Sequence, residues 1–316
     1  MDNMPGQSAA PNDRFRLGLV GVGRMGKTHL AAIKTSPGIS VEGVAEPRQE
    51  AREALSHDSL RAFASLEEML ENCELDGVLV AAPTGAHLET VRHLMAAGLP
   101  VLCEKPCGLT VAEATECAKV TEEAGGTLQV AYWRRFVPEL QELRERIARG
   151  EFGDILAVGC YQWDAAPPPL EFRAGSGGIL VDMGVHEFDQ VRWLTGQEFG
   201  PVKVAVSRVG TSAEDPDCAQ IVAELDGGST AAVSLGRWHP AGDSCKVDVF
   251  GTKATESIEF LDPVTGDTVF LQALKLQVED FVRSVTFGGS AGASVTDAVE
   301  ALKVAELASE RVSEAS

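Results

Sequence analysis

Along the first 130 residues, apolar positions gather in short runs separated by amphipathic stretches, the pattern of strands alternating with helices. Runs at 15–20, 39–45, 76–82, 100–103 and 128–133 read as strands. Helices are expected over 27–33, 47–56, from Ser65, over 85–97, and from Thr110 toward Gly125. Ser65-x-x-Glu68 and Thr110-x-x-Glu113 have the capping-box pattern. Thr84 stands where it can cap the helix after it, and Gly98 stands where a helix end takes a left-handed residue. Alternation at this spacing predicts an α/β unit with a doubly wound parallel sheet of Rossmann type, which binds ligands beyond the carboxyl ends of its strands. Those ends fall at Gly21, Glu46, Pro83-Thr84 and Glu104-Lys105.

From Pro138 the pattern changes. A charged helix over 139–149 leads into a strand at 155–163 that a triple proline stops. Strands at 202–209, 219–225, 229–235, 246–251 and 255–260 follow with no helix between them, and Asp226-Gly227-Gly228 reads as a hairpin turn. Helices near 271–286 and 295–312 close the chain. Consecutive strands imply a C-terminal α+β domain with a mostly antiparallel open sheet. The expected organisation is a disordered tail at 1–13, a dinucleotide-binding domain at 14–134 and a second domain at 135–316.

Charge narrows the partners. The 316 residues hold 27 Lys plus Arg against 47 Asp plus Glu, a formal net charge of -20, so the average field repels nucleic acid and anionic membrane. No apolar run approaches the roughly eighteen residues of a membrane span, and the polar opening has no signal-peptide core, so a cytoplasmic chain is expected. The seven cysteines form no C-x-x-C pair and their odd number argues against a disulfide framework. Cys103 and Cys107 flank Glu104-Lys105-Pro106 without a second ligand pair at metal-binding spacing, so no metal is expected.

Candidate chemistry begins at Gly21-Val22-Gly23-Arg24-Met25-Gly26. Gly21 permits a sharp turn, Gly23 lets a pyrophosphate approach bare backbone, and Gly26 lets the helix pack against the strand. Glu46, twenty residues on, stands where a carboxylate accepts ribose hydroxyls, which favours NAD over NADP unless Arg24 and Arg48 offset its charge. Lys105 follows a strand end and precedes proline, so it is either an aimed site lysine or a solvated loop lysine. In the stretch 177–190, Asp182, His186 and Asp189 recur at helical offsets, so one helix would present them together. They read as an acid–base group with a carboxylate that orients the histidine and favours its imidazolium, or as a cap with a satisfied histidine. His87 lies at a helix start, Arg134 and Arg135 are surface residues or substrate contacts, and His239 lies in an inter-strand loop. His29, His57 and His93 look structural or solvent-facing.

With the glycine motif, 97–106 ending in Glu104-Lys105-Pro106, Trp133-Arg134-Arg135-Phe136 and Gly177-Gly178 through His186, the chain resembles the glucose-fructose oxidoreductase and inositol dehydrogenase (Gfo/Idh/MocA) family over nearly its whole length. Residues 167–172 and 176–189 look most similar to inositol 2-dehydrogenases. The resemblance implies NAD or NADP in the first domain, held by Gly21, Gly23, Arg24, Met25, Gly26, Glu46, Pro83, Thr84, His87 and Glu104. It implies Lys105, Asp182 and His186 as the catalytic group and Asp189 as a substrate or support residue; Arg134, Trp163 and His239 are the further candidate substrate contacts. The activity implied is reversible oxidation of a secondary hydroxyl on a cyclic polyol or sugar. Aldose oxidation, imine reduction and a silent cofactor-binding sensor are the alternatives. The open sheet of the second domain would build a homodimer or homotetramer. Inositol dehydrogenases typically carry tyrosines in the region of 237–243, and this chain has none there.

Overall fold

The computed structural model describes residues 14–56, 60–209 and 215–314. The tail expected at 1–13, and His57, lie outside the described residues.

The first half runs β1 (Phe15–Val20), α1 (Arg24–Ile33), β2 (Ile39–Ala45), α2 (Gln49–Ser56), β3 (Ala62–Phe63), α3 (Leu66–Asn72), β4 (Gly77–Val80), α4 (His87–Ala96), β5 (Val101–Cys103), α5 (Val111–Glu123) and β6 (Leu128–Val130). A 3₁₀ turn at Trp133–Phe136 leads to α6 (Pro138–Ala148). The second half runs β7 (Ile155–Trp163), α7 (Leu170–Gly175), α8 (Gly178–Asp182), α9 (Gly184–Thr195), β8 (Phe199–Ser207), β9 (Cys218–Leu225), β10 (Thr230–Gly236), β11 (Ser244–Gly251), β12 (Thr255–Leu261), α10 (Gly266–Phe287), β13 (Ala293–Ser294) and α11 (Val295–Glu314).

Among the described residues the first sheet has the order β13-β6-β5-β4-β1-β2-β3. Its strands are parallel apart from β13, which runs antiparallel on β6. The order reverses at β1, so the crevice for a ligand opens between the carboxyl ends of β1 and β4. The second sheet has the order β12-β11-β7-β10-β9-β8, antiparallel except for β7 with β10. One of its faces is apolar and covered, with Ala219, Ile221, Ala223 and Leu225 of β9 and Ala231, Val233 and Leu235 of β10 buried. Its other face leaves Leu156, Val222 and Phe250 about half exposed.

The chain does not divide cleanly in sequence. After the second sheet it returns to the first: Phe281 of α10 packs edge-on against Phe15 of β1, and β13 extends the first sheet. Thr84 does not cap a helix, because residues 84–86 form a 3₁₀ turn and no side chain caps α4. The strand expected over 128–133 stops at Val130, and Trp133 enters the 3₁₀ turn instead. The single helix expected through 177–190 is interrupted at Met183.

Candidate active site

The glycine turn is built as its sequence requires. Gly21 has φ +88°, and a Cβ there would come within 2.7 Å of the Ala81 carbonyl oxygen just past β4. A Cβ on Gly26 would lie 2.1 Å from the Gly21 carbonyl oxygen, so α1 packs on β1 only through a glycine. Gly23 faces open space, with nothing within 4 Å of an added Cβ. It precedes α1, whose first turn has neither a capping side chain nor an acid, so the N–H groups of Arg24, Met25 and Gly26 are open to an anion. At the end of β2, buried Glu46 accepts from Val22 N at 3.0 Å and from Arg48 N at 3.0 Å. The Arg48 guanidinium adds a two-pronged contact at 2.8 and 3.0 Å. Arg48, with Val22 assisting, lowers the Glu46 carboxyl to about 2. A carboxylate has about four acceptor positions, so a ribose hydroxyl must displace part of the exposed Arg48 side chain. Bare backbone, an open helix start and this carboxylate together fit a dinucleotide.

Two residues expected to touch the cofactor support the crevice from behind. Buried Glu104 is bonded to His29 Nε2 at 2.7 Å through one oxygen and accepts from Lys105 N at 3.2 Å through the other. Buried His87 lies 2.8 Å from the carbonyl oxygens of Ala82 and Pro106, tying the end of β4 to the turn after Lys105. Both are turned inward by these partners, which corrects their assignment as direct contacts. Pro83 and Thr84 stand at the crevice rim, Pro83 exposed and Thr84 partly so.

Lys105 crosses from the first sheet to the second half of the chain. Its Nζ donates to the Asp182 carbonyl oxygen at 2.7 Å and lies 3.4 Å from Asp182 Oδ1. Asp182 Oδ2 faces the Arg237 guanidinium at 3.7 Å. His186, in the first turn of α9, is buried with its ring edge-on to Tyr132 at 5.9 Å and its Nδ1 without a hydrogen-bond partner. Burial pushes the His186 pKa well below its ordinary value, and the charges of Lys105 and Arg134 add to the effect. The imidazole is therefore neutral near pH 7. The expected carboxylate assistance is absent because the break at Met183 turns Asp182 toward two cations rather than onto the histidine.

The geometry separates the expected substrate contacts. Arg134 is buried and donates to Glu187 at 2.5 Å and to Gln162 at 2.8 Å. Asp189 is buried with both oxygens on Arg135, at 3.0 and 2.5 Å. Both are buried and bonded to these partners; together they fasten α9, which is buried along nearly its whole length, to the turn leaving the first sheet. Trp163 points to the open face of the second sheet, where its Nε1 donates to Ser234 Oγ at 3.0 Å, opposite the face that Gln162 shares with Arg134. His239 turns back on its own loop, with Nδ1 2.5 Å from the Gly242 carbonyl oxygen. Its backbone N–H holds the Asp164 carbonyl at 2.9 Å. Asp164 and Arg237 are the site residues that sequence reasoning did not assign. Burial pushes the Asp164 carboxyl up, and a bond from Gln162 only partly offsets it. The signal for Arg237 was its place at the start of the loop that lacks tyrosines.

Comparison with known proteins agrees with this construction. Residues 15–132 match the oxidoreductase family with an NAD-binding Rossmann fold, and residues 140–256 match the GFO/IDH/MocA C-terminal domain. The chain is 48% identical over 303 residues to the rhizopine catabolism protein MocA of Rhizobium meliloti, spanning 95% of this chain and 96% of that one. It is 28% identical to an inositol 2-dehydrogenase of Rhizobium meliloti strain 1021, over 95% and 97% of the two chains. The crystal structure of a putative myo-inositol dehydrogenase from Sinorhizobium meliloti superposes with a TM-score of 0.89 at 27% identity, covering 96% of this chain and 98% of that one. With NAD-binding geometry in its first sheet and relatives matched along both halves, the chain belongs to the Gfo/Idh/MocA family of oxidoreductases.

Proposed function

We propose that the protein oxidises a secondary hydroxyl of a cyclic polyol, reversibly and with NAD, at the crevice bounded by Lys105, Asp182 and His186. The observation that carries this reading is the placement of a lysine ammonium on Asp182 beside a histidine kept neutral by burial and by Lys105. The name of one relative, inositol 2-dehydrogenase, supports a polyol as the substrate class.

When bound, the nicotinamide accepts the hydride that leaves the carbinol carbon. The residues do the rest. Lys105 donates a hydrogen bond to the reacting hydroxyl and offsets negative charge that grows on its oxygen. His186 takes the hydroxyl proton through Nε2, since Nδ1 is buried, and becomes imidazolium. Asp182 fixes Lys105 and offers carboxylate oxygens to a neighbouring ring hydroxyl. The carbinol C–H and O–H bonds break, a carbonyl forms, and one proton is stored on the protein. Glu46 favours NAD, because a 2′-phosphate would meet its charge. The half-exposed apolar residues on the open face of the second sheet, Leu156, Val222 and Phe250, support assembly into a homodimer or homotetramer.

His186→Ala and Lys105→Ala should bind NAD with wild-type affinity by fluorescence titration yet turn over at least about a hundredfold more slowly. Wild-type turnover in either variant would refute the assignment.

A further inference from the structure

Arg237, which follows β10, is the largest fully buried side chain in the described residues. None of its three guanidinium nitrogens makes a hydrogen bond there. A cation in that state is costly unless charges of opposite sign surround it. They do: Asp215 Oδ2 lies 3.2 Å from Nη2, and Asp182 Oδ2 lies 3.7 Å from Nη1. Asp164 also feels its charge.

These two aspartates hold opposite ends of one short helix. Asp215 Oδ1 accepts from Ile179 N at 2.8 Å, in the first turn of α8, and Asp182 is the last residue of α8. The contact with Asp215 is close enough that a Cβ on Gly178 would lie 2.9 Å from Asp215 Oδ1. Behind Asp215 stands Arg173 of α7, which donates to Asp215 at 2.7 Å and to Asp217 at 3.0 Å. The Asp217 carbonyl oxygen in turn accepts the Arg237 N–H at 2.9 Å. Charges therefore alternate from the reaction centre into the protein: Lys105, Asp182, Arg237, Asp215, Arg173, Asp217. Lys105 and Arg237, from different halves of the chain, share the one carboxylate of Asp182.

We propose that Arg237 is a positioning residue of this active site: it holds α8 at both ends and takes part of the Asp182 charge, leaving the Lys105 ammonium free to serve a substrate hydroxyl. The inference rests on the catalytic roles given above to Lys105 and Asp182, and it gives the loop at 237–243 a function that does not depend on tyrosines. Arg237 does not touch the substrate, because it has no exposed surface. Groups facing Asp182 are Lys105 after β5, Arg237 after β10 and Asp164 after β7; Asp215, Arg173 and Asp217 lie behind Arg237.

The test needs neither substrate nor NAD. Limiting acetic anhydride at about pH 9, with the Lys105 peptide followed by mass spectrometry, reports how much of that amine is unprotonated. Arg237→Met and Arg237→Gln should slow Lys105 acetylation by about threefold or more, since Asp182 is then left to Lys105 alone, while Arg237→Lys labels like wild type. Asp182→Asn should speed labelling, and Asp182→Asn/Arg237→Met should label like Asp182→Asn, because Arg237 acts on Lys105 through the Asp182 carboxylate. Wild-type labelling in folded Arg237→Met or Arg237→Gln would overturn the proposal, as would a further slowing of the double variant below Asp182→Asn. Where turnover is measured, the pH profile of kcat/KM in Arg237→Met should move up by about one unit, with Arg237→Lys restoring it. A lowered Tm with an unmoved profile would mean an arginine that is only structural. A wrong polyol assignment would leave the labelling result intact, so the two failures are distinguishable.

Discussion

In the reaction proposed above, the part given to His186 depends on what surrounds it. A histidine in water is half protonated near pH 6.5 and makes an indifferent base there. Here burial, Lys105 and Arg134 all oppose its charge, so the base form persists into acid. The sign is definite: a lowered pKa keeps the base available as pH falls through the ordinary histidine range. The kcat/KM for polyol oxidation at about pH 6 should therefore stay within about twofold of its value at about pH 7.5, and an acid limb centred at or above about 6.5 would contradict a neutral buried base. The sequence singled out Lys105, Asp182 and His186 as candidates because Glu104-Lys105-Pro106 and Gly177-Gly178 through His186 are local strings. It could not show that Asp189 is spent on Arg135 or that Glu104 is spent on His29, because those pairs join residues 54 and 75 positions apart. Arg237 was hidden for the same reason: its partners come from α8 and from the segment before β9.

At the scale of elements, the features set by neighbours in sequence were legible. The strands read at 39–45 and 155–163 are β2 and β7 to the residue, because each is a single run bounded by turn chemistry. Thr110 caps α5 as its spacing predicts, with its Oγ1 accepting from Glu113 N while the Glu113 carboxylate accepts from Leu109 N. Gly98 closes α4 with φ +71° and paired bonds from Gly98 N to Met95 O and from Leu99 N to Leu94 O. The break between α8 and α9 was not legible. Helical periodicity runs through 177–190 and does not mark the interruption at Met183, beside which a Cβ on Gly184 would stand 2.9 Å from the Phe188 ring of the same helix and 3.4 Å from Leu235 on β10. That break decides the site, because it points Asp182 at Lys105 while His186 continues inward against Tyr132. The start of α8 is as demanding. Gly178 has φ +76° with Asp215 against it, so Gly178→Ala should lower stability by about 1–2 kcal/mol or more, read as a reduced Tm, and should reduce turnover as α8 shifts. An unchanged Tm would show that α8 is not held as described.

For the whole molecule, two sheets meet at a charged and buried seam. Arg134 and Arg135 leave the first sheet and enter carboxylates of α9, while Lys105 reaches Asp182 from the same side. Leaving one partner of such a pair alone in the interior costs several kcal/mol, so removing either partner should loosen the seam. The return of α10 and β13 to the first sheet strengthens that junction. The two halves divide the chemistry between them. On the reading proposed above, the glycine turn, α1 and Glu46 would receive the dinucleotide, and the end of α8 with His186 would receive the hydroxyl. The central claim is met most directly by following absorbance of reduced nicotinamide with NAD and NADP in parallel against myo-inositol, scyllo-inositol, D-chiro-inositol and a set of pyranoses. The account predicts NAD-dependent reduction with at least one inositol. Tight NAD binding with no turnover on any of these compounds would contradict it.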